Sequence, residues 1–361
     1  MGNTIKGVLY IVFLGSLLFS QNIMQKLRVP IYCNIQSGIG YDSNFLKLSH
    51  TEIDEVSYNP LILGENQSIS SILSKTSVEL KYKPFIFKNH LTKIEFKLDY
   101  NKYFASNNKS YWIWKIFIAQ HVGKYEWVKA FYTFMPSYYL RDYRDRDPFI
   151  NNVYPENSLL NCNFSQGSTT ISYSRWLYIS RTWLEAKINY KTQYYSAAFT
   201  EYDLNIFSYF ASVHSKYYKN ILFRLSTYKT NADNETYKNG LLSTSNIDRG
   251  YVQKGVSMSF IRNNINFLLI QRLGMKYSID IREYISKENF DPLHNSRQHI
   301  EYNYKIWFSS SISEIINCNV TLGYRERITQ SELKWVEEIK SFDKFNFIIL
   351  LSYDFVSDIL Y

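Results

Sequence analysis

Beyond residue 20 the sequence has no apolar run approaching the ~18 residues that a membrane-crossing helix needs, which excludes helical spans from the rest of the chain. Cysteine is scarce: Cys33, Cys162 and Cys318 are far apart and odd in number, so they supply no disulfide framework and no CxxC metal pair. At most one incidental bridge is expected. The six histidines, His50, His90, His121, His214, His294 and His299, form no HExxH and no paired metal spacing, and no serine sits in GxSxG. Neither a metal nor a cofactor is expected. The net charge is +9, but the basic residues are not gathered into a patch, so no nucleic-acid partner is expected. Proline is also rare, at 7 in 361 residues.

Aromatic residues are abundant. Thirty-three Tyr, 24 Phe and 7 Trp make up 18% of the chain, a composition that suits strands. Mean hydropathy is −0.29. A strand with one lipid-facing and one wet face averages close to neutral, so this value does not exclude a membrane.

Period-two alternation is the main signal, because it places successive side chains on opposite faces of a strand. Residues 91–101 set Ile94, Phe96, Leu98 and Tyr100 against Lys93, Glu95, Lys97, Asp99 and Asn101. The pattern recurs in 71–83, 183–194 and 265–282. Along the chain it predicts strands at 30–41, 69–83, 90–104, 111–122, 125–140, 167–177, 182–196, 202–216, 219–231, 249–262, 265–284, 297–310, 313–328 and 342–355.

A sandwich alternates too, so the connections decide. Every second join is short: Lys88-Asn89, Gly123-Lys124, Ser180-Arg181, Lys219-Asn220, Asn263-Asn264 and Ser311-Ile312. Several of the others are long, at 42–68, 141–166, 232–248, 285–296 and 329–341. Loop length sorted by strand parity predicts an all-β, up-and-down antiparallel transmembrane barrel of about 14 strands, within a range of about 12 to 16. Residues 1–6 and the apolar stretch 7–20 have the layout of a secretory signal peptide cut near Ser20. The expectation is therefore a cleaved segment 1–20 and a single barrel domain 21–361 in a Gram-negative outer membrane, with membrane lipids and the barrel assembly machinery as partners.

Outward aromatics near strand ends, Tyr100, Trp112, Trp114, Tyr138 and Tyr194, fit an interfacial girdle. The final segment alternates Phe345, Phe347, Ile349, Leu351, Tyr353 and Phe355 and ends on Tyr361, as a terminal barrel strand does. Gly38 to Ser49, GIGYDSNFLKLS, resembles the G-x-G-Y-D-[SD]-N opening of Bacteroidota-type outer-membrane barrels and of the barrel domain of surface-lipoprotein assembly modifiers. The resemblance covers about a dozen residues and implies a barrel class, with Gly38 and Gly40 facing the lumen, Tyr41 at the interface and Asp42-Ser43-Asn44 opening an external loop. The helical repeats that precede the barrel in the assembly modifiers are absent from this sequence.

Chemistry is sparse. His294-Asn295-Ser296 is similar in order to the His-x-Ser of outer-membrane phospholipases, but Arg297-Gln298 replaces the Asn-Gly that follows, so no catalytic residue and no enzyme activity are expected. Ser212 and His214 share a strand face and read as polar lining. Arg141, Asp142, Arg144, Asp145, Arg146 and Asp147 form a charged cluster expected in an external loop, self-paired or folded inward as a constriction. Assigning inward faces by parity gives about nineteen Lys or Arg against about seven acids, a basic lumen that would favour anions. Lys93, Lys97, Lys115, Lys129, Lys187, Lys191, Arg272, Lys276, Arg282, Arg325 and Arg327 are the candidate lining residues. The expected function is a channel or transporter for small polar, anionic solutes. A non-conducting barrel that assembles or secretes a surface protein is the alternative, and an outer-membrane hydrolase ranks last.

Overall fold

Strands that alternate apolar and polar side chains leave two problems: an apolar face to cover and two hydrogen-bonding edges to pair. The computed structural model solves both by closure. It describes residues 31–84, 86, 90–144, 159–179, 181–217, 220–238, 248–267, 270–286 and 293–357. The predicted signal segment 1–20 and the terminal Tyr361 lie outside these residues.

Fourteen antiparallel strands follow one another around the barrel: β1 (Ile31–Asp42), β2 (Ser71–Tyr82), β3 (Thr92–Tyr103), β4 (Ser106–Gly123), β5 (Glu126–Arg144), β6 (Leu159–Trp176), β7 (Thr182–Tyr195), β8 (Leu204–Tyr217), β9 (Ile221–Asn234), β10 (Tyr251–Phe267), β11 (Ile270–Tyr284), β12 (Gln298–Ser311), β13 (Ile316–Gln330) and β14 (Phe342–Ser357). β1 pairs with β14 from Ile31 opposite Ser357 to Asp42 opposite Asn346, which closes the ring. No described helix is long and apolar enough to cross a membrane. Cys33, Cys162 and Cys318 are all free thiols.

The outer surface carries the apolar alternates. Ile35, Ile39, Ile118, Ile171, Val256 and Leu351 are all exposed there. In water so continuous an apolar belt would aggregate, whereas against hydrocarbon it is satisfied. Tyr100, Trp112 and Tyr194 stand on the same outer face.

Among the described residues, the packed apolar clusters lie at the loop end. Phe45, Leu46 and Leu48 from the first connection bury against Leu73, Tyr103 and Tyr139. This connection contains α1 (His50–Glu55), begun by a capping box: the Glu52 amide donates to Ser49 Oγ at 3.2 Å and the Ser49 amide to Glu52 Oε2 at 2.9 Å. Two further short helices, α2 (Glu235–Lys238) and α3 (Lys334–Lys340), lie in later connections at the same end, and α1 contacts α3. The Asp42-Ser43-Asn44 segment ties this loop to the closing seam. Lys344 Nζ donates to Asp42 Oδ2 at 2.7 Å, the Phe345 amide to Ser43 Oγ at 2.9 Å, and Asn44 Nδ2 to the Asp343 carbonyl at 3.1 Å.

Three expectations need correction. The Asn263-Asn264 pair is not a turn: it lies inside β10, where the register with β11 slips between Asn263 and Phe267 and Asn264 takes φ 56°. Asn tolerates that left-handed conformation, so the pair makes a bulge and the strand continues. The join between β2 and β3 spans 83–91, longer than a two-residue turn, and Lys88-Asn89 lies outside the described residues, as do Ser180 and Lys219. On the long-loop side, β3 and β4 are joined by only Phe104 and Ala105.

The third correction concerns Tyr138. The register of β5 with β6 shifts between Met135 and Tyr138 and again between Tyr139 and Arg141. Pro136 sits at the first shift and has no amide hydrogen for the ladder, so the strand bulges there. The bulge turns Tyr138 inward, against Tyr111 and Phe164, instead of onto the outer girdle.

Candidate solute pathway

The bore is lined by the polar alternates, and register fixes which residues share a level. On β7 the inward residues are Glu185, Lys187, Asn189 and Lys191, facing Ser172, Thr170 and Ser168 of β6 and Ser212, Phe210 and Ser208 of β8. Single carboxylates organise the cations of this half of the wall. Glu185, with 5% of its side chain exposed, lies 2.9 Å from Lys129 Nζ, 3.1 Å from Lys187 Nζ, 3.2 Å from His214 Nε2 and 3.7 Å from Arg224. Asp99 holds Lys115 at 2.9 Å and Lys97 at 3.5 Å. Nearer the loop end, Glu301 takes Arg325 at 2.7 Å and Arg327 at 3.0 Å. In each group the carboxylate is outnumbered, so the group stays cationic while its members are held in fixed positions.

On β11 and β12, nearer the turn end than Asp280 and Glu301, a second group of cations has no acid at ion-pair distance among the described residues. Arg272, Lys276 and Lys305 are exposed to the bore and make no hydrogen bond or ion pair among the described residues. Lys276 stands directly opposite Lys305 across β11 and β12, a like-charge pairing that costs stability in a sheet. Lys75 of β2 lies within electrostatic reach of Lys305 and of the Asp99 group. At the turn end, a polar recess of about 320 Å³ is lined by Asn263, Arg272, Ser309, Asn319 and Ser352.

The remaining candidates fall elsewhere. Lys93 lies over the Trp127 ring at 4.6 Å, and Arg282 lies over Tyr251 at 4.1 Å while its Nε donates to Gln253 at 3.0 Å. Lys191 faces the bore without a hydrogen-bonding partner among the described residues. Of the expected loop cluster, Arg141, Asp142 and Arg144 belong to β5, because pairing with β6 runs on to Arg144 opposite Leu159. Asp145, Arg146 and Asp147 lie outside the described residues. Arg141 donates to Glu52 of α1 at 2.7 Å, and Asp142 Oδ2 accepts from the Glu65 amide at 3.0 Å. Both contacts tie the first loop to the wall. Gly64, at φ 59°, lets the chain pass there, since a Cβ would stand 2.0 Å from Asp142 Oδ2.

Cations also gather under the loops. Burial, then the charges of Arg141 and Arg297, hold the Lys340 ammonium of α3 down to about 8. Burial likewise lowers Lys47 well below the ordinary lysine range, with Arg325 the next cause.

At His294-Asn295-Ser296, the Ser296 hydroxyl donates to Asn295 Oδ1 at 3.1 Å, and His294 lies against the Tyr284 ring, 5.4 Å between ring centres. His214 stacks on Trp183, with ring centres 5.0 Å apart, and bonds to Glu185, while Ser212 Oγ accepts from Arg224 at 3.5 Å. Sequence reading missed Lys305, although Asn303, Lys305 and Trp307 alternate with Tyr304 and Ile306 inside a predicted strand. The same parity that selected Lys276 selects Lys305.

No protein-family model and no curated protein matches the sequence. Among solved structures, the outer membrane channel DcaP of Acinetobacter baumannii is similar at 10% identity and a TM-score of 0.47, covering 91% of this chain and 97% of that one. OmpT, an outer membrane protein of Vibrio cholerae, is similar at 11% identity and a TM-score of 0.46, with 91% and 97% covered. An anion-selective porin from Comamonas acidovorans is similar at 6% identity and a TM-score of 0.39, with 91% and 99% covered. These likenesses bring no residue correspondence and no solute to this chain.

Proposed function

We propose that the chain is an integral outer-membrane channel, exported by a signal segment cut near Ser20, that passes small polar solutes and favours anions. The observation that carries this reading is the stretch of bore at Arg272, Lys276 and Lys305, where exposed cations have no carboxylate beside them. A fixed cation facing water in a low-dielectric wall attracts an anion and repels a cation, and an ion-paired cation does so far less. Lys97, Lys115, Lys129, Lys187, Arg325 and Arg327 are then chiefly framework, and Arg272, Lys276 and Lys305 the selective surface.

The test is ion conductance of the folded barrel in planar bilayers. Discrete steps with anion selectivity are expected, and the double variant Lys276→Glu/Lys305→Glu is expected to shift the selectivity toward cations. A silent barrel would overturn the channel reading. The first loop favours a second reading, because its buried residues and its Arg141 to Glu52 tie place folded chain at the loop end. In that reading the barrel conducts little and serves a surface protein, which would co-purify with it. For the membrane assignment itself, heat-modifiable migration on SDS gels and recovery in the sarkosyl-insoluble fraction are expected, and recovery as a soluble periplasmic protein would end it.

A further inference from the structure

We propose that the wall between β11 and β12 is a binding site for a flat-ringed organic anion, which rests its ring on Trp307 and its charge between Lys276 and Lys305. The inference deepens the channel reading and rests on the same bore.

Trp307 faces inward directly opposite Gly274. A Cβ on Gly274 would stand 2.1 Å from Trp307 Cε2 and 2.2 Å from Cζ2, so the indole lies down on the wall in the space that the missing side chain leaves. An indole held this way keeps one face against backbone and presents the other to the bore as a rigid platform. One step along the strands toward the loop end stand Lys276 and Lys305, and one step toward the turn end stands Arg272 opposite Ser309. Lys305 Nζ lies over the indole ring, 5.7 Å from its centre and near the outer reach of a cation–π contact, and an incoming ring would take its place on that face.

Two features make this arrangement costly unless something fills it. Two lysines directly opposed in a sheet repel, and among the described residues neither has an acid at ion-pair distance, Asp280 of β11 reaching Lys276 only through its longer-range field. Gly274 also gives up strand stability for the sake of the indole's position. A carboxylate, sulfonate or phosphate between the two ammonium groups removes the repulsion, and a planar ring attached to that anion covers the indole. A short aliphatic anion meets the charges but leaves the platform bare. A neutral ring meets the platform and leaves the lysines opposed.

The experiment uses the mature barrel folded in detergent, with benzoate, cyclohexanecarboxylate and acetate as probes. Binding is measured by titration calorimetry, and the same anions are then added to single channels in bilayers. Benzoate is expected to bind about two- to tenfold more tightly than cyclohexanecarboxylate, the range that ring stacking commands, with acetate weaker still. Trp307→Leu is expected to abolish that preference and Trp307→Phe to retain part of it. Gly274→Ala, which lifts the indole off the wall, should act like Trp307→Leu, and Lys276→Gln with Lys305→Gln should weaken both carboxylates together. Heat-modifiable migration of each variant checks that the barrel has formed. If Gly274→Ala does not fold, Trp307→Leu carries the test alone. Equal binding of benzoate and cyclohexanecarboxylate, or a preference unchanged by Trp307→Leu, overturns the site. Anion-selective conductance without that preference would leave the channel and remove the site. Binding that depends on Trp307 in a silent barrel would leave the site and remove the channel.

Discussion

Two stretches of the same bore are both rich in cations and differ in one respect. From β3 to β9, Asp99 and Glu185 each gather several basic groups at ion-pair distance. Between β11 and β12, Arg272, Lys276 and Lys305 have none, and Lys276 faces Lys305 directly. If the barrel conducts as proposed, a count of lumen charge is a poor guide to its selectivity. What matters is which cations still have their field unspent, since a charge already paired in a low-dielectric wall offers little to a passing solute.

That contrast can be broken by substitution, and the largest effect is expected on the paired side. Glu185→Gln leaves Lys129, Lys187 and Arg224 without their common counter-charge, which should lower unfolding stability by about 3 kcal/mol in urea titrations of the barrel in vesicles. A loss below about 1 kcal/mol would mean that water in the bore already screens the group. Glu52→Gln, which releases Arg141 at the loop end, should cost about 2 kcal/mol by the same measurement, because Arg141 is left buried with its charge. On the unpaired side the sign should reverse. Lys305→Gln relieves a like-charge pair and should stabilise the barrel by about 0.5 kcal/mol while weakening anion selectivity.

A further test reads pH dependence. Lys340 in α3 is held down to about 8 by burial and by Arg141 and Arg297, with Glu52 and Tyr284 opposing. Its folded pKa lies below the ordinary lysine value, so between pH 8 and about 10 the unfolded chain keeps a proton that the folded one has lost. Stability therefore rises over that window, and Lys340→Met should flatten the rise in urea titrations at successive pH values.

Much of this was legible in the sequence. The count of fourteen strands follows from period-two alternation, because one apolar and one polar face leave no other pattern for a lone sheet, whereas β6 begins at Leu159, eight residues before its predicted start. The parity of the connections marks the two ends. The errors fall where a strand breaks its own period. Pro136 and Asn264 each insert a bulge, and beyond Pro136 the parity rule points Tyr138 to the wrong side. Both residue types are visible in the sequence as signals of a bulge, but their effect on facing is set by the neighbouring strand. Parity alone puts the candidate cations on the polar face of each strand. Their division into paired and unpaired was not legible, because Glu185 reaches Lys129 of β5 across β6, and the levels at which distant strands meet depend on how the barrel staggers. The Trp307 platform needs the register of Gly274 against Trp307, which no local pattern carries.

On the proposed reading, unpaired cations, and not total lumen charge, set the selectivity. Two double variants that remove the same charge test it most directly: Lys276→Gln/Lys305→Gln and Lys97→Gln/Lys187→Gln, each compared with the parent barrel by reversal potential under a potassium chloride gradient. The first pair is expected to lose most of the anion selectivity and the second to change it little. Equal shifts from the two variants, or a larger shift from the second, would contradict it.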